Sequence, residues 1–174
     1  KQKELQTRFG SWNMQSIQFS QPASLKNWVW LFIDAPHSRH GLTPQGLAGS
    51  LDDFVYTLKN MGVAAEKPKA GIRVQYDFNA DNGPAIEKAV RGLQAQHKPD
   101  LILGILFAKD TQVYNTVKQV CDVRCGVRNV NVQAEKVRGA NPQYWANVGL
   151  KINLKMGGAN QTLRNSDLGF FADG

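Results

Sequence analysis

Asp100-Leu101-Ile102-Leu103-Gly104-Ile105-Leu106-Phe107 is the stretch on which the fold turns. Past Asp100 every residue except Gly104 is apolar, and nothing alternates. That pattern belongs to a strand buried on both faces in the middle of a parallel sheet. Such a strand needs helices above and below it, so the flanking segments are read for helices first.

Downstream, the polar turn Ala108-Lys109-Asp110-Thr111 leads into Val113, Val117, Val120 and Cys121 at helical spacing, and Val127 to Gln133 reads as the next strand. Asn141-Pro142 opens a last helix with Trp145, Val148 and Ile152 inward, ending at Gly157-Gly158. Upstream, Gly71 to Tyr76 alternates like a strand, and Asn82-Gly83-Pro84 opens a helix carrying Ile86, Ala89, Val90 and Leu93 on one face. Further up, Trp28-Val29-Trp30-Leu31-Phe32-Ile33 reads as a buried strand. Thr43-Pro44 supplies a cap and a first-turn proline for a helix through Leu47, Leu51, Phe54, Val55 and Leu58, stopped by Gly62. Four successive strand-then-helix alternations predict an α/β domain with a mainly parallel sheet and right-handed crossovers. The segments divide into an irregular N-terminal arm at 1–27, the α/β domain at 28–158 and a tail at 159–174.

The 174 residues fit one domain, and 21 Lys and Arg against 14 Asp and Glu give a net charge of +7, which favours a polyanionic partner. Residues 101–160 hold eight basic and three acidic side chains, so the basic field is densest there. No apolar run approaches the ~20 residues that span a bilayer, and no signal peptide pattern follows Lys1, so the expectation is a cytoplasmic protein without a membrane partner. A first residue other than Met and a last segment of Phe170-Phe171-Ala172-Asp173-Gly174 read as a piece of something longer. Cys121 and Cys125 have neither zinc-knuckle nor redox-motif spacing and are expected to be reduced core thiols.

Several chemistries lack their residues. Gly41 to Gly46 has the glycine spacing of a Walker A loop, yet Leu47-Ala48 stands where Lys-Ser/Thr is required. No GxGxxG follows a strand, no GxSxG occurs, and His37 and His40 lack a third metal ligand. Neither cofactor nor metal nor catalytic set is therefore expected, and Asp52-Asp53 reads as a solvated helix face.

What remains is a set of cations and donors. Tyr114 and Lys118 lie four apart near the start of one helix, and Lys151 and Lys155 repeat that spacing on the last. If both pairs turn to the same strand ends, three ammonium groups and a phenol converge on a site suited to a terminal phosphate. Two plainer readings stand beside this one. Lysines late in a helix meet its negative dipole end, and Tyr114 fits equally as a half-buried core aromatic.

At these residues the chain resembles the MID domain of eukaryotic Argonaute proteins. The likeness is carried by Val113-Tyr114-Asn115-Thr116-Val117-Lys118, by Asn141-Pro142-Gln143, and above all by Leu150-Lys151-Ile152-Asn153-Leu154-Lys155-Met156-Gly157-Gly158-Ala159-Asn160. Gly10-Ser11-Trp12-Asn13-Met14 with Gln18-Phe19 resembles the stretch leading into that domain, and the whole is most similar in wording to fungal Argonautes of the quelling type.

The resemblance implies a Rossmann-like three-layer domain that anchors the 5′-phosphorylated end of a small guide RNA in RNA silencing. By the family pattern, Tyr114 stacks on the first base, with Lys118, Lys151 and Lys155 on the phosphate. The turn Ala108, Lys109, Asp110, Thr111 matches the loop that reads the first base, without the family's Pro-Gly-Lys wording. Where the family carries Thr-Gln-Cys, its glutamine on the phosphate, this chain has Asn129-Val130-Asn131. Three alternatives follow: Asn131 or Asn129 substitutes, one contact is absent, or the alignment slips by one residue. Asn131 is therefore grouped with Lys118, Lys151, Lys155 and Tyr114 as the set expected on the phosphate. Cleavage in the family belongs to the PIWI domain, so this chain is expected to be a binding module, with the PIWI domain of the same protein and the guide RNA as partners. The rivals are a Rossmann-like enzyme or binding domain for a phosphorylated small metabolite, and an interaction domain that docks a protein through its basic face.

Overall fold

The computed structural model describes residues 19–21, 24–157, 159 and 160. Most of the expected arm and tail, including 10–14, Gln18 and Gly158, lies outside the described residues. The described chain forms two compact units: the first comprises Leu25–Leu51 and Glu66–Gly139, and the second includes Asp52–Ala65 and 140–157.

In the first unit, β1 (Trp28–Asp34), β2 (Ala70–Gln75), β3 (Leu101–Leu106) and β4 (Arg128–Gln133) form one sheet in the order β2-β1-β3-β4, with every pairing parallel. The α/β fold with a mainly parallel sheet is therefore as the sequence predicts. All six residues of β3 are buried, as its unbroken apolar run requires. Leu31 of β1 sits opposite Gly104 of β3, and Gly104 opposite Asn131 of β4. One core gathers Val29, Leu31 and Ile33 of β1 with Ile86, Val90 and Leu93 of α2 (Gly83–His97) and Val113 and Val117 of α3 (Thr111–Lys118).

Asn82 precedes α2 as expected, but its side chain does not cap the helix. It is buried and pins the preceding loop instead, accepting from the Asp77 N–H and donating to the Asp77 and Ala80 carbonyls. Beyond α3 the predicted single α-helix changes pitch: Gln119–Arg124 is a π-helical segment, closed by a 2.8 Å bond from the Cys125 N–H to the Val120 carbonyl. Val120 and Cys121 stay buried while Val123 turns outward. A short helix the sequence reading did not contain, Ala134–Arg138, follows β4 directly.

α1 (Pro44–Asn60) begins in the first unit, where the Thr43 hydroxyl accepts from the Gly46 N–H at 2.9 Å and the Ser50 hydroxyl donates to the Val137 carbonyl. Its second half belongs to the second unit. There it packs on the last long helix, Pro142–Lys155, with the Phe54 and Trp145 rings 4.7 Å apart. Gly149 permits this approach, since a Cβ there would stand 2.8 Å from Leu58 Cδ2. Asn141 caps that helix by accepting from the Tyr144 N–H, as the Asn-Pro pair predicts. Phe19–Gln21 pairs antiparallel with Ala159–Asn160.

Candidate functional site

The carboxyl ends of β3 and β4 hold the candidate site. Leu106 ends β3, and the chain turns through Ala108–Thr111 into α3. The Asp110 side chain fixes this turn as the helix N-cap, accepting from the Gln112 N–H at 2.9 Å and the Val113 N–H at 3.2 Å. Those two amides are thereby taken and are closed to an anion.

Ala108, Lys109, Asp110, Thr111, Tyr114 and Asn131 line one open cavity of about 290 Å³, completed by Leu106, Val132 and Gln133. Six residues singled out from the sequence thus share one concavity. Tyr114 is 44% exposed, so its ring is not a core aromatic. The Lys118 ammonium lies 5.9 Å from the centroid of that ring, as the four-residue spacing predicts, and forms an ion pair with Asp122 at 3.2 Å.

Asn131 does not stand alone. Its Nδ2 donates to Asn129 Oδ1 at 2.9 Å, while Asn129 Nδ2 donates to Asn131 Oδ1 at 3.0 Å and to the Ile102 carbonyl at 3.1 Å. Asn129 is 1% exposed, whereas Asn131 reaches the cavity wall. Val130, between them, is buried and points to the opposite face of the sheet, by strand alternation.

Lys151 and Lys155 belong to the second unit, exposed one turn apart on the helix whose Trp145, Val148 and Ile152 are buried. Lys155 stands in its last turn, where a cation also meets the helix dipole.

A larger groove of about 720 Å³ runs along α2 and α3, lined by Gly83, Pro84, Gln112, Asn115, Gln119 and Arg124 among others. The only predicted site residue on it is Thr111. Its guanidinium, Arg124, is held by Glu87, which also binds Arg91. Those hydrogen bonds, from Arg91 first and Arg124 second, pull the Glu87 carboxyl below its ordinary range.

Asp34 ends β1 and the loop after it carries Ser38 and His40, three residues that resemble a hydrolase set in composition only. Asp34 Oδ1 accepts from the Ala35 N–H, the Ser38 hydroxyl and His40 Nε2, and Oδ2 accepts from Arg73 Nε and Nη2. His40 Nδ1 accepts from the Leu42 N–H, which leaves the ring proton on Nε2, facing Asp34. Both ring nitrogens are committed, and the Ser38 hydroxyl bonds to the carboxylate rather than to the imidazole. The triad arrangement, in which the histidine takes the serine proton, is not what these atoms form. Burial on its own would raise the Asp34 carboxyl, but the bonds from His40, Arg73, Ala35 and Ser38 outweigh it and bring it down to about 2. The Gly41 of the Walker-like spacing has a φ of +73°, and a Cβ there would meet Arg138 at 3.0 Å, so its conformation explains the glycine.

A Piwi domain family model matches residues 101–171. Protein argonaute of Schizosaccharomyces pombe is 27% identical over 162 residues, which cover 88% of this chain and 18% of that protein. The chain thus spans less than a fifth of that relative's length. The MID domain of Neurospora crassa QDE-2 superposes with a TM-score of 0.58 at 26% identity, over 76% of this chain and 99% of that one. Kluyveromyces polysporus Argonaute, solved with a guide RNA, gives a TM-score of 0.71 at 25% identity, over 92% of this chain and 19% of that one. The chain is a homologue of the Argonaute proteins, and its fold is that of their MID domain.

Proposed function

We propose that this chain binds the 5′-phosphorylated end of a small guide RNA, holding the terminal phosphate and the first nucleotide. The observation that carries the reading is the cavity shared by Ala108–Thr111, Tyr114 and Asn131, with the Lys118 ammonium beside the tyrosine ring. An exposed aromatic face offers a base-tolerant stacking platform, and an ammonium within reach supplies charge-assisted hydrogen bonds to phosphate oxygens. Tyr114 stacks on the first base in this reading, while Lys118, Lys151, Lys155 and Asn131 take the phosphate. The homologous Argonaute solved with a guide RNA supports the ligand class.

In the same reading, residues 28–158 are the binding module, 1–27 lead into it and 159–174 continue toward a PIWI domain. The module itself cleaves nothing. Among the described residues no helix is long and apolar enough to cross a membrane.

Titration of the chain with a nucleoside 5′-monophosphate, followed by NMR, tests the proposal against the same nucleoside without phosphate. Shifts at Tyr114, Lys118, Lys151 and Lys155 are expected to require the phosphate. Lys151→Ala and Lys155→Ala should each weaken binding and lower its salt slope by about one. Equal responses to the two ligands would refute it.

A further inference from the structure

The geometry points to Asn129 as the positioning residue that turns the Asn131 amide into a phosphate donor, on a floor that only Gly104 leaves open. The inference rests on the function proposed above and deepens it.

A backbone carbonyl accepts and never donates. The Ile102 carbonyl lies 3.1 Å from the Asn129 amide, so the Asn129 end facing it is Nδ2. That choice turns Asn129 Oδ1 toward Asn131, and an acceptor there demands a donor, so the Asn131 end facing it is Nδ2. The second Asn129 proton then meets Asn131 Oδ1 at 3.0 Å, closing a reciprocal amide pair. Flipping Asn129 alone loses all three bonds, and flipping Asn131 alone loses both bonds of the pair. Asn129 spends both its protons inside the protein, one on Ile102 and one on Asn131. Asn131 spends only one, and among the described residues no hydrogen bond takes the other. Asn129 is sealed from solvent while Asn131 borders the cavity, so the uncommitted N–H belongs to the residue that a ligand reaches.

Gly104 makes the pair possible. It stands opposite Asn131 in the register of β3 and β4, and a Cβ on it would lie 2.0 Å from Asn131 Oδ1. The same Cβ would lie 3.4 Å from Asn129 Nδ2, an ordinary contact. A methyl group at 104 therefore displaces Asn131 and spares Asn129. Two short amides and a glycine would thus supply a phosphate donor in the strand where the family pattern carries Thr-Gln-Cys.

The test measures binding of a nucleoside 5′-monophosphate and of its unphosphorylated nucleoside by NMR titration, on the full chain and on N131A, N129A and G104A. N131A should weaken monophosphate binding by about tenfold, the worth of one charge-assisted hydrogen bond, and leave nucleoside binding unchanged. N129A and G104A, which both retain Asn131, should reproduce that phosphate-specific loss. In N129A the Asn131 side-chain NH₂ resonances should move toward those of a free amide, which a general loosening of the strand would not single out. G104A keeps the question open to refutation should N129A fail to fold. Wild-type affinity for the monophosphate in a folded N129A or in G104A overturns the positioning role. An equal loss for the nucleoside in N131A overturns the phosphate role in favour of base contact. Absence of any phosphate dependence in the unaltered chain is a different result, which refutes the proposed function itself.

Discussion

Asp34→Asn isolates one buried charge whose effect on stability is readable from its partners. The Asp34 carboxyl drops from its ordinary 3.8 to about 2 in the folded protein, a difference equivalent to roughly 2 kcal/mol. The figure is an upper one, because the Arg73 side chain is 55% exposed and water screens its share. A carboxyl lowered on folding contributes fully above its unfolded value and ceases to contribute as pH falls through the folded one. The stabilisation is therefore complete above about pH 5 and disappears between about pH 4 and pH 2. At neutral pH the asparagine offers one acceptor oxygen where Ala35, Ser38, His40 and Arg73 all donated, and it turns an NH₂ toward donors. Breaking such a buried set costs about 3 kcal/mol. Urea unfolding of both proteins at pH steps from 7 to 2 tests this, because carboxylates common to both cancel in the difference. The gap between them should narrow by up to about 2 kcal/mol below pH 4. A gap that stays constant across that range would show that the carboxyl is not lowered and that the hydrogen-bond argument fails. Phosphate-dependent binding at pH 7 should be unaltered while Asp34→Asn remains folded, since Asp34 does not line the cavity.

Three further outcomes follow from the site and its surroundings. Tyr114→Ala should weaken binding of nucleoside and nucleotide alike by about 1–3 kcal/mol, measured by calorimetric titration, because stacking does not depend on the phosphate. Asp122→Asn frees the Lys118 ammonium from a partner 3.2 Å away and removes a nearby negative charge, so monophosphate affinity should rise by up to about fivefold, most at low salt. The Cys121 thiol, pushed up to about 12 chiefly by burial, should resist iodoacetamide at pH 8 until the chain is unfolded, with peptide mass spectrometry as the readout.

The sheet was legible because β1 and β3 are short apolar runs, β2 and β4 alternate, and the helices between them start at caps that obey local rules. β3 carries no polar residue to confuse its faces, and Thr43-Pro44 and Asn141-Pro142 fix two helix starts within a residue. The π-helical segment was not legible, since the apolar spacing of Val117, Val120 and Cys121 suits an α-helix equally well. What separates the two is a backbone bond from Cys125 to Val120, and no side chain announces it. Asp110 illustrates a different loss: within the resemblance its turn reads as a base-reading loop, while its side chain is a helix cap whose two bonds remove free amides from the site.

The site was half legible for a geometric reason. Tyr114 and Lys118 are one turn apart, so local spacing alone brings them together. Asp34 and Arg73 meet across 39 positions only because β1 and β2 pair in parallel with Ile33 opposite Val74. The amide pair needed both kinds of information. Asn129 and Asn131 share a face by strand alternation, but which face depends on the pairing with β3. One signal did stand in the sequence: a glycine inside an otherwise apolar central strand sacrifices packing and conformational order, and such a position marks a close approach by another group. Gly104 is that position, and the group is the Asn131 amide. A strand interior that tolerates glycine should therefore be read for the polar side chain its missing Cβ admits.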